Sequence, residues 1–259
     1  MKFGMPYKGS KNSIAQHIID MLPPAEHFYD LFGGGGAMTH CALLSGKYKH
    51  VHYNELDPLV FKGFKMAVNG EFENENRWIS REDFERLKDS DPYVAICFSF
   101  GNSLHGYAYN KDREKFKKAV HYSICFDDNS LLKDYIPIND FSYTSKQIHD
   151  RRSELQRYFK KFLSIDYKDV LENIISYVNV IIDKYPRVTN ICQNLQSLER
   201  LNNLNDIKNI VCTNLSYDEL DFETDSVIYC DPPYKNTSSY KINFNHEEFY
   251  DWCRKQKNI

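Results

Sequence analysis

The stretch best suited to chemistry is the tetrapeptide Asp-Pro-Pro-Tyr at residues 231–234, which directly follows an apolar run at residues 227–230. A short β-branched and aromatic run closed by two prolines is typical of a buried strand that ends abruptly. There the Asp231 carboxylate, the Pro232 carbonyl and the Tyr234 ring can face one crevice. Two hydrogen-bond acceptors beside an aromatic face suit a flat heterocycle that carries an exocyclic amino group. The alternative is an Asp-capped turn that only ends the strand.

Four consecutive glycines, Gly33 to Gly36, follow a second apolar run at residues 28–32. Glycine lets the backbone approach a ligand closely, and a helix that begins there directs free N–H groups outward. A pyrophosphate-binding loop and a tight strand–helix turn without a ligand would both fit these glycines. Asp30 at the end of the predicted strand would repel a phosphate. It favours a cationic cofactor with an amino acid tail, S-adenosylmethionine, over NAD or ATP.

Two acids end the next predicted strand, at residues 49–53. Glu55 and Asp57 follow it directly, and an acidic side chain at this position accepts hydrogen bonds from ribose hydroxyls in doubly wound folds. Either acid could make that contact. The glycine loop and these acids together predict a nucleoside-containing cofactor.

The surrounding pattern predicts βα units at both ends of the chain and a charged, aromatic-rich, mostly helical block from about residue 74 to residue 203. A Rossmann-like sheet interrupted by a helical insertion is the economical account. The catalytic domain is then residues 1–73 and 204–259. Its predicted strands are residues 28–32, 49–53, 209–213 and 226–230, and its predicted helices are residues 37–44, 58–68 and 245–256. Within the insertion, apolar spacing predicts a long helix over residues 169–185.

Composition excludes several classes of protein. The net charge of −3 gives no global basic field that would announce a nucleic-acid partner, although a local basic face remains possible. Seven scattered cysteines without a C-x-x-C pair favour buried free thiols over disulfides or a zinc site. No apolar run reaches membrane-spanning length. We expect a soluble cytoplasmic protein without a metal.

Taken together, the motifs resemble one family, the Dam-type DNA adenine-N6 methyltransferases of bacteria and phages. Residues 7–11 (Tyr-Lys-Gly-Ser-Lys) are similar to its Y-x-G-x-K element, residues 28–36 to its D-x-F-x-G-x-G cofactor loop, and residues 231–234 to its catalytic motif. Thr237 and Tyr240 match the T…Y that follows, and residues 97–102 resemble a segment common in phage and bacterial members. The order of these elements is that of the alpha class, in which the inserted domain recognises the DNA target.

The resemblance implies S-adenosylmethionine as methyl donor and double-stranded DNA as substrate. It implies cofactor contacts from residues near the glycine loop and the strand ends: Tyr7, Lys11, Asp30, Phe32, Gly33, Gly35, Glu55, Asp57, Asp218 and Asp231. Glu55 stands where the family usually has Asp. Ser216 stands where the family has an Asp that holds the cofactor's adenine, and Asp218 is the expected substitute.

The resemblance also implies a mechanism for Asp231, Pro232 and Tyr234. The Asp231 carboxylate, an acceptor when ionised, and the Pro232 carbonyl would bind the two N–H groups of adenine N6 and localise its lone pair. A base inside a duplex cannot reach such a pocket, so it must flip out and stack on Tyr234. An N4-cytosine methyltransferase, a protein-glutamine methyltransferase and a non-catalytic DNA- or cofactor-binding remnant remain as alternatives.

DNA contacts are expected from the insertion and from the segment after the catalytic motif. Arg151, Arg152, Lys160 and Lys161 could contact phosphates, or could form a solvated helix face, and the resemblance adds Tyr240. The sequence ends on the helix predicted at residues 245–256, which would leave the strand before Asp231 at an uncovered sheet edge. We therefore expect a missing C-terminal segment or a partner that completes the sheet.

Overall fold

The computed structural model describes residues 3–136, 138, 140–164, 201, 210–235 and 244–256, and for residues 160–164 the helical backbone alone. The helices are α1 (Ala15–Met21), α2 (Ala37–Ser45), α3 (Pro58–Val68), α4 (Arg81–Leu87), α5 (Pro92–Cys97), α6 (Lys111–Phe126), α7 (Ile148–Ser164) and α8 (His246–Lys255). The strands are β1 (Ala25–Asp30), β2 (Tyr48–Asn54), β3 (Ile210–Thr213) and β4 (Ser226–Tyr229).

The four strands form one parallel sheet in the order β3-β2-β1-β4. Asp30 at the end of β1 lies opposite Tyr53 of β2 and Tyr229 of β4. Because parallel strands share a direction, the residues that follow β1, β2 and β4 meet at one edge of the sheet. Among the described residues, β4 is the outermost strand on its side, and the segment or partner expected to complete the sheet stays a prediction.

One face of the sheet is covered by helices. Phe28 and Val51 are fully buried in a cluster with residues of α1 and α2. Tyr53 lies in a second cluster, in which its ring stacks on Phe64 of α3 with centroids 3.8 Å apart. These clusters fix the strand ends that carry the candidate site.

The opposite face of the sheet carries aromatic side chains. Tyr29 of β1 stacks on His52 of β2 with ring centroids 3.9 Å apart, and His27 lies beside both His50 and His52. Burial lowers the pKa of His52 to about 4, with His27 and His50 adding to the effect. His52 is therefore neutral at physiological pH.

The predicted elements are found with small changes of boundary. The predicted strand 28–32 is observed as β1, which begins three residues earlier and ends at Asp30 because the glycine turn starts immediately afterwards. Helices 58–68 and 245–256 are observed as α3 and α8. The helix predicted over residues 169–185 lies outside the described residues.

The predicted domain boundary near residue 74 runs through a single hydrophobic core. Phe84 of α4 and Ile96 of α5 are fully buried in the same cluster as Val60 and Phe64 of α3. A separate core begins further along the chain, where α6 and α7 contribute Ile124, Leu155 and their neighbours. Helices dominate the described part of the insertion, and its role in target recognition stays a prediction.

No helix among the described residues has the length and apolar character needed to cross a membrane.

Candidate active site

The glycine turn between β1 and α2 requires glycine at two positions, because aromatic rings of the core pack directly against it there. Gly36 has φ +69°, and a Cβ there would lie 2.1 Å from the Phe64 ring. A Cβ on Gly33 would lie 2.2 Å from the Tyr53 ring. Any side chain at these two positions would displace the core beneath the turn.

Three of the four glycine amides of the turn are hydrogen-bonded within the protein. The Gly33 N–H donates to the Asn54 carbonyl at 2.8 Å, and the Gly36 N–H donates to the Gly33 carbonyl at 2.7 Å. The Gly34 N–H donates to Oε2 of Glu55 at 2.8 Å. A phosphate cradle needs such amides to point at the ligand. This arrangement therefore disfavours the pyrophosphate-loop interpretation of the glycines.

The N-terminal segment packs across the turn and delivers Tyr7 and Lys11 to it. The Met5 N–H donates to the Gly35 carbonyl at 2.7 Å. The Tyr7 ring lies against Gly34, where a Cβ would come within 2.9 Å of the ring. The tyrosine of the Y-x-G-x-K element thus forms a wall of the site.

The Asp-Pro-Pro-Tyr motif follows β4 and lies beside this segment. The Lys11 ammonium forms an ion pair with Oδ2 of Asp231 and a hydrogen bond to the Tyr234 hydroxyl at 2.7 Å. Burial alone would lower the pKa of Lys11, but its hydrogen bonds to Asp231 and Tyr234 outweigh that effect and raise it. Lys11 is therefore charged, and its ammonium lies directly against the Asp231 carboxylate.

Asp30 is buried under the turn, at 2% exposure. Its Oδ2 accepts hydrogen bonds from the Thr39 N–H at 3.1 Å and from the Thr39 hydroxyl at 2.7 Å. Burial and, to a smaller extent, the negative charge of Asp231 raise its pKa to about 6, against the lowering effects of these hydrogen bonds and of Lys11. Oδ2 of Asp30 thus holds the start of α2, a contact that the sequence did not predict. Asp30 also borders the smaller of the two cavities described next.

Two adjoining cavities lie at this edge of the sheet. The smaller, of about 50 Å³, is bordered by the glycine turn, Lys11, Asp30 and Asp231. The larger, of about 310 Å³, is bordered by Glu55, Asp57, Asp218 and Pro233. Tyr7, Phe32 and Gly34 border both cavities. The predicted catalytic motif and the predicted cofactor turn thus border the same pair of adjoining cavities.

Glu55 and Asp57 play different structural parts in the larger cavity. The Glu55 carboxylate accepts the Gly34 N–H and also the Asp57 N–H, each at 2.8 Å. Burial raises the pKa of Glu55 to about 7 despite these bonds. The Asp57 side chain instead caps α3 by accepting the Leu59 and Val60 N–H groups. Both carboxylates thus accept backbone N–H groups, and the contact of Glu55 with a ribose stays a prediction.

Ser216 and Asp218 lie together at the far wall of the larger cavity. The Ser216 hydroxyl donates to Oδ1 of Asp218. The Ser216 N–H donates to Glu219 at 2.8 Å, in a capping box that holds the short 3-10 turn Tyr217–Glu219. Asp218 is thus held where a carboxylate can meet an adenine, and its role stays a prediction.

Several residues of the site were not predicted from the sequence. Tyr217 and Phe244 pack around Phe32 with ring centroids 6.0 and 5.6 Å away. His246 lies 2.8 Å from the Pro233 carbonyl and anchors the catalytic motif to α8. The aromatic spacing after the motif was the available signal for Phe244, whereas no local pattern reveals the contact between His246 and Pro233.

The residues predicted to contact DNA are only partly described. The Arg151 guanidinium donates to the Ser145 carbonyl at 3.0 Å and lies 3.8 Å from the Asp127 carboxylate, so much of its capacity is used within the protein. Arg152 is half-buried. Lys160 and Lys161 lie on the described backbone of α7 without described side chains, and Tyr240 lies outside the described residues. Their contacts with DNA stay predictions.

In the described part of the chain, no group of three or more His, Cys, Asp or Glu side chains has an arrangement that could hold a metal ion.

Comparison with known proteins agrees with the geometry. The family model for D12 class N6 adenine-specific DNA methyltransferases matches residues 7–207. The matched stretch includes Tyr7, Lys11, the glycine turn and Glu55, and it ends before Asp231. Among curated proteins, none shows detectable sequence similarity to the chain. Because the family match spans well over half of the 259 residues, the chain belongs to the D12 class N6 adenine-specific DNA methyltransferase family and is a DNA adenine methyltransferase.

Proposed function

We propose that the protein transfers the methyl group of S-adenosylmethionine to N6 of an adenine that has flipped out of a specific site in double-stranded DNA. The observation that carries this proposal is the position of Asp231 on the small cavity formed by the glycine turn. A carboxylate that must hold the acceptor amine is thereby adjacent to the space proposed for the donor.

The residues of the two cavities suit this cofactor better than a phosphate-bearing one. The turn amides of Gly33, Gly34 and Gly36 are already bonded, and Asp30 and Asp231 border the small cavity. Carboxylates repel phosphate and attract a sulfonium and an ammonium group. The larger cavity, of about 310 Å³, lies within the roughly 300–1,000 Å³ of ligand sites.

The proposed cofactor contacts follow from these two cavities. Glu55 would accept the ribose hydroxyls, and Asp218 would accept the adenine amino group of the cofactor. Phe32 and Tyr7 would enclose the nucleoside between the cavities. When bound, S-adenosylmethionine supplies an electrophilic methyl group on a positively charged sulfur.

Asp231 and Pro232 act on the acceptor nitrogen. Lys11 contacts Oδ2 of Asp231, and Oδ1 has no hydrogen-bond partner among the described residues, so it can accept one N–H of the adenine amino group. The Pro232 carbonyl would accept the other. An ionised Asp231 stabilises positive charge that develops on the nitrogen during transfer, and the fixed alignment supplies further acceleration.

Tyr234 suits a flipped base because its side chain is exposed while its hydroxyl is fixed. The residue is 53% exposed, and Lys11 holds its hydroxyl at 2.7 Å. Stacking of a base on such a ring is worth about 1–3 kcal/mol. This gain helps to offset the cost of unstacking the adenine from the duplex.

Product analysis tests the proposal. The protein is incubated with duplex DNA and S-adenosylmethionine tritiated in its methyl group, and the DNA is digested to nucleosides. We expect the label in N6-methyl-2′-deoxyadenosine, and Asp231→Ala should remove it. Label in N4-methyl-2′-deoxycytidine would support the cytosine alternative, and a lack of label in DNA despite measurable cofactor binding would support a non-catalytic binding protein.

A further inference from the structure

A third cavity, of about 590 Å³, lies outside the site described above, between α4, α6 and the loop that joins α5 to α6. Three cationic side chains border it: Arg81, Arg113 and Lys117. No carboxylate borders it in the part of the chain that the structure describes. We refer to this cavity and its three cations as the basic cleft.

Arg81 is held in one position at the cleft. Its guanidinium lies 4.8 Å from the centroid of the Tyr107 ring and donates to the Tyr109 carbonyl. Its Nε lies 3.6 Å from the Glu114 carboxylate. A side chain fixed by three neighbours loses little conformational entropy when it meets a ligand.

The other two cations of the cleft lie on α6. Arg113 is half-buried and forms no ion pair with any described residue. Lys117 is only 5% exposed, and its ammonium lies 5.7 Å from the centroid of the Tyr109 ring. The Glu114 carboxylate lies near Arg81, whereas Arg113 has no carboxylate partner among the described residues. An anion in the cleft would therefore be attracted to Arg113.

The cleft and the cofactor cavity share one loop. Ser99 to Asn102 border the basic cleft, and the next three residues, Ser103 to His105, border the larger cofactor cavity. The Asn102 carbonyl also accepts the Lys8 N–H at 3.2 Å, which ties this loop to the segment that carries Lys11. A polyanion that lies in the cleft would therefore be next to the two cavities of the candidate active site.

We propose that the basic cleft binds a backbone phosphate of the DNA strand that presents its adenine to Asp231, an inference that rests on the proposed function. The fork of an arginine matches two phosphate oxygens, and a lysine adds a point charge. Phosphate contacts fix the position of the DNA without reading its sequence. The cleft thus sets where the strand lies relative to the catalytic motif.

The test compares two variants of α6 that each remove one positive charge. Arg113→Gln changes the cleft, and Lys115→Gln changes an exposed residue that does not border it. Affinity for a fluorescein-labelled duplex of mixed sequence is measured by anisotropy at several salt concentrations, with S-adenosylhomocysteine present. We expect Arg113→Gln to bind about tenfold more weakly and to reduce the slope of log K against log salt by about 1. Lys115→Gln should resemble the wild type.

Further measurements show whether the effect is specific to DNA binding in the basic cleft. The affinity of Arg113→Gln for S-adenosylhomocysteine and its melting temperature should equal those of the wild type. Its loss of DNA affinity should be the same for a methylated substrate and for an unrelated duplex. Its KM for DNA should rise by a larger factor than its kcat falls, because the change weakens binding of the strand. Lys117→Met, which removes the buried cation, should weaken DNA binding in the same way.

The inference is overturned if Arg113→Gln and Lys115→Gln bind DNA equally well with equal salt slopes. A second result would also overturn it: the wild type and Arg113→Gln have equal affinities for DNA but different affinities for inorganic phosphate. The cleft would then be a site for a small anion. A wild-type protein that transfers no methyl group to adenine would instead contradict the proposed function. The two failures are therefore distinguishable.

Discussion

The pKa of Glu55 makes cofactor binding depend on pH in a direction that can be measured. Burial raises this pKa to about 7 from 4.5. We propose that the ribose hydroxyls donate to the Glu55 carboxylate, and an ionised carboxylate accepts hydrogen bonds more strongly than a neutral carboxyl group. The ligand should therefore select the protein in which Glu55 is ionised.

The size of the effect follows from the fraction of ionised Glu55. With a pKa of about 7, this fraction is about one in eleven at pH 6 and about ten in eleven at pH 8. Apparent affinity scales with the competent fraction, so Kd should rise about tenfold from pH 8 to pH 6. Stability of the free protein should change in the opposite sense. The neutral form of Glu55 stabilises the fold below pH 4.5, and this contribution is lost as the pH rises through about 7.

Calorimetric titration with 5′-methylthioadenosine is the suitable assay, because this ligand retains the ribose and lacks an amino acid group that titrates near neutrality. Glu55→Gln is the matched control, since it keeps the shape of the side chain and cannot ionise. Asp30, whose pKa is about 6, still titrates in this variant, so the difference between the two proteins isolates Glu55. We expect a tenfold pH effect in the wild type and a much smaller one in Glu55→Gln.

Two results would refute this reasoning about Glu55. One is a wild-type Kd that stays constant between pH 6 and pH 8. The other is an equal pH dependence in the wild type and in Glu55→Gln, which would assign the titration to another group. In either case Glu55 would not be the ribose acceptor.

Three further substitutions test individual contacts. Asp57→Ala removes the cap of α3 and should lower the free energy of unfolding by about 1 kcal/mol in chemical denaturation, while cofactor Kd changes much less than in Glu55→Gln. Gly36→Ala forces a side chain into positive φ and against Phe64, so its free energy of unfolding should fall by about 2–5 kcal/mol; a melting temperature equal to that of the wild type would contradict the described turn. Arg151→Ala removes hydrogen bonds to partly buried carbonyls and should lower the free energy of unfolding by about 1 kcal/mol without altering the salt slope of DNA binding. A reduced slope would support its predicted role at a phosphate.

The sequence predicted most of the sheet because its signals are local. The short apolar runs that became β1, β2, β3 and β4 each end in a turn residue or an acid, and that chemistry marks a strand end. The family motifs then indicated which ends meet. A parallel sheet brings the ends of β1, β2 and β4 together without any further information.

The parts that the sequence did not predict depend on contacts between distant segments. The cofactor contact of Asp30 stays a prediction, whereas its hydrogen bonds to Thr39 at the start of α2 were not predicted, because only the path of the chain after the turn brings the two residues together. The Arg151 guanidinium meets carbonyls of α6 because α6 and α7 share a core. The basic cleft likewise joins Arg81 to residues about thirty positions away, a distance at which no periodic pattern signals proximity.

The most direct test of the central claim measures chemistry and cofactor binding separately in Asp231→Asn. This change keeps the size of the side chain and removes the negative charge that holds the acceptor amine. We predict that the single-turnover rate of methyl transfer to adenine falls at least about 100-fold. The Kd for S-adenosylhomocysteine, which lacks the sulfonium charge, should change by a much smaller factor, and the control Asp251→Asn at an exposed position of α8 should change neither quantity. A wild-type transfer rate in Asp231→Asn would contradict the account.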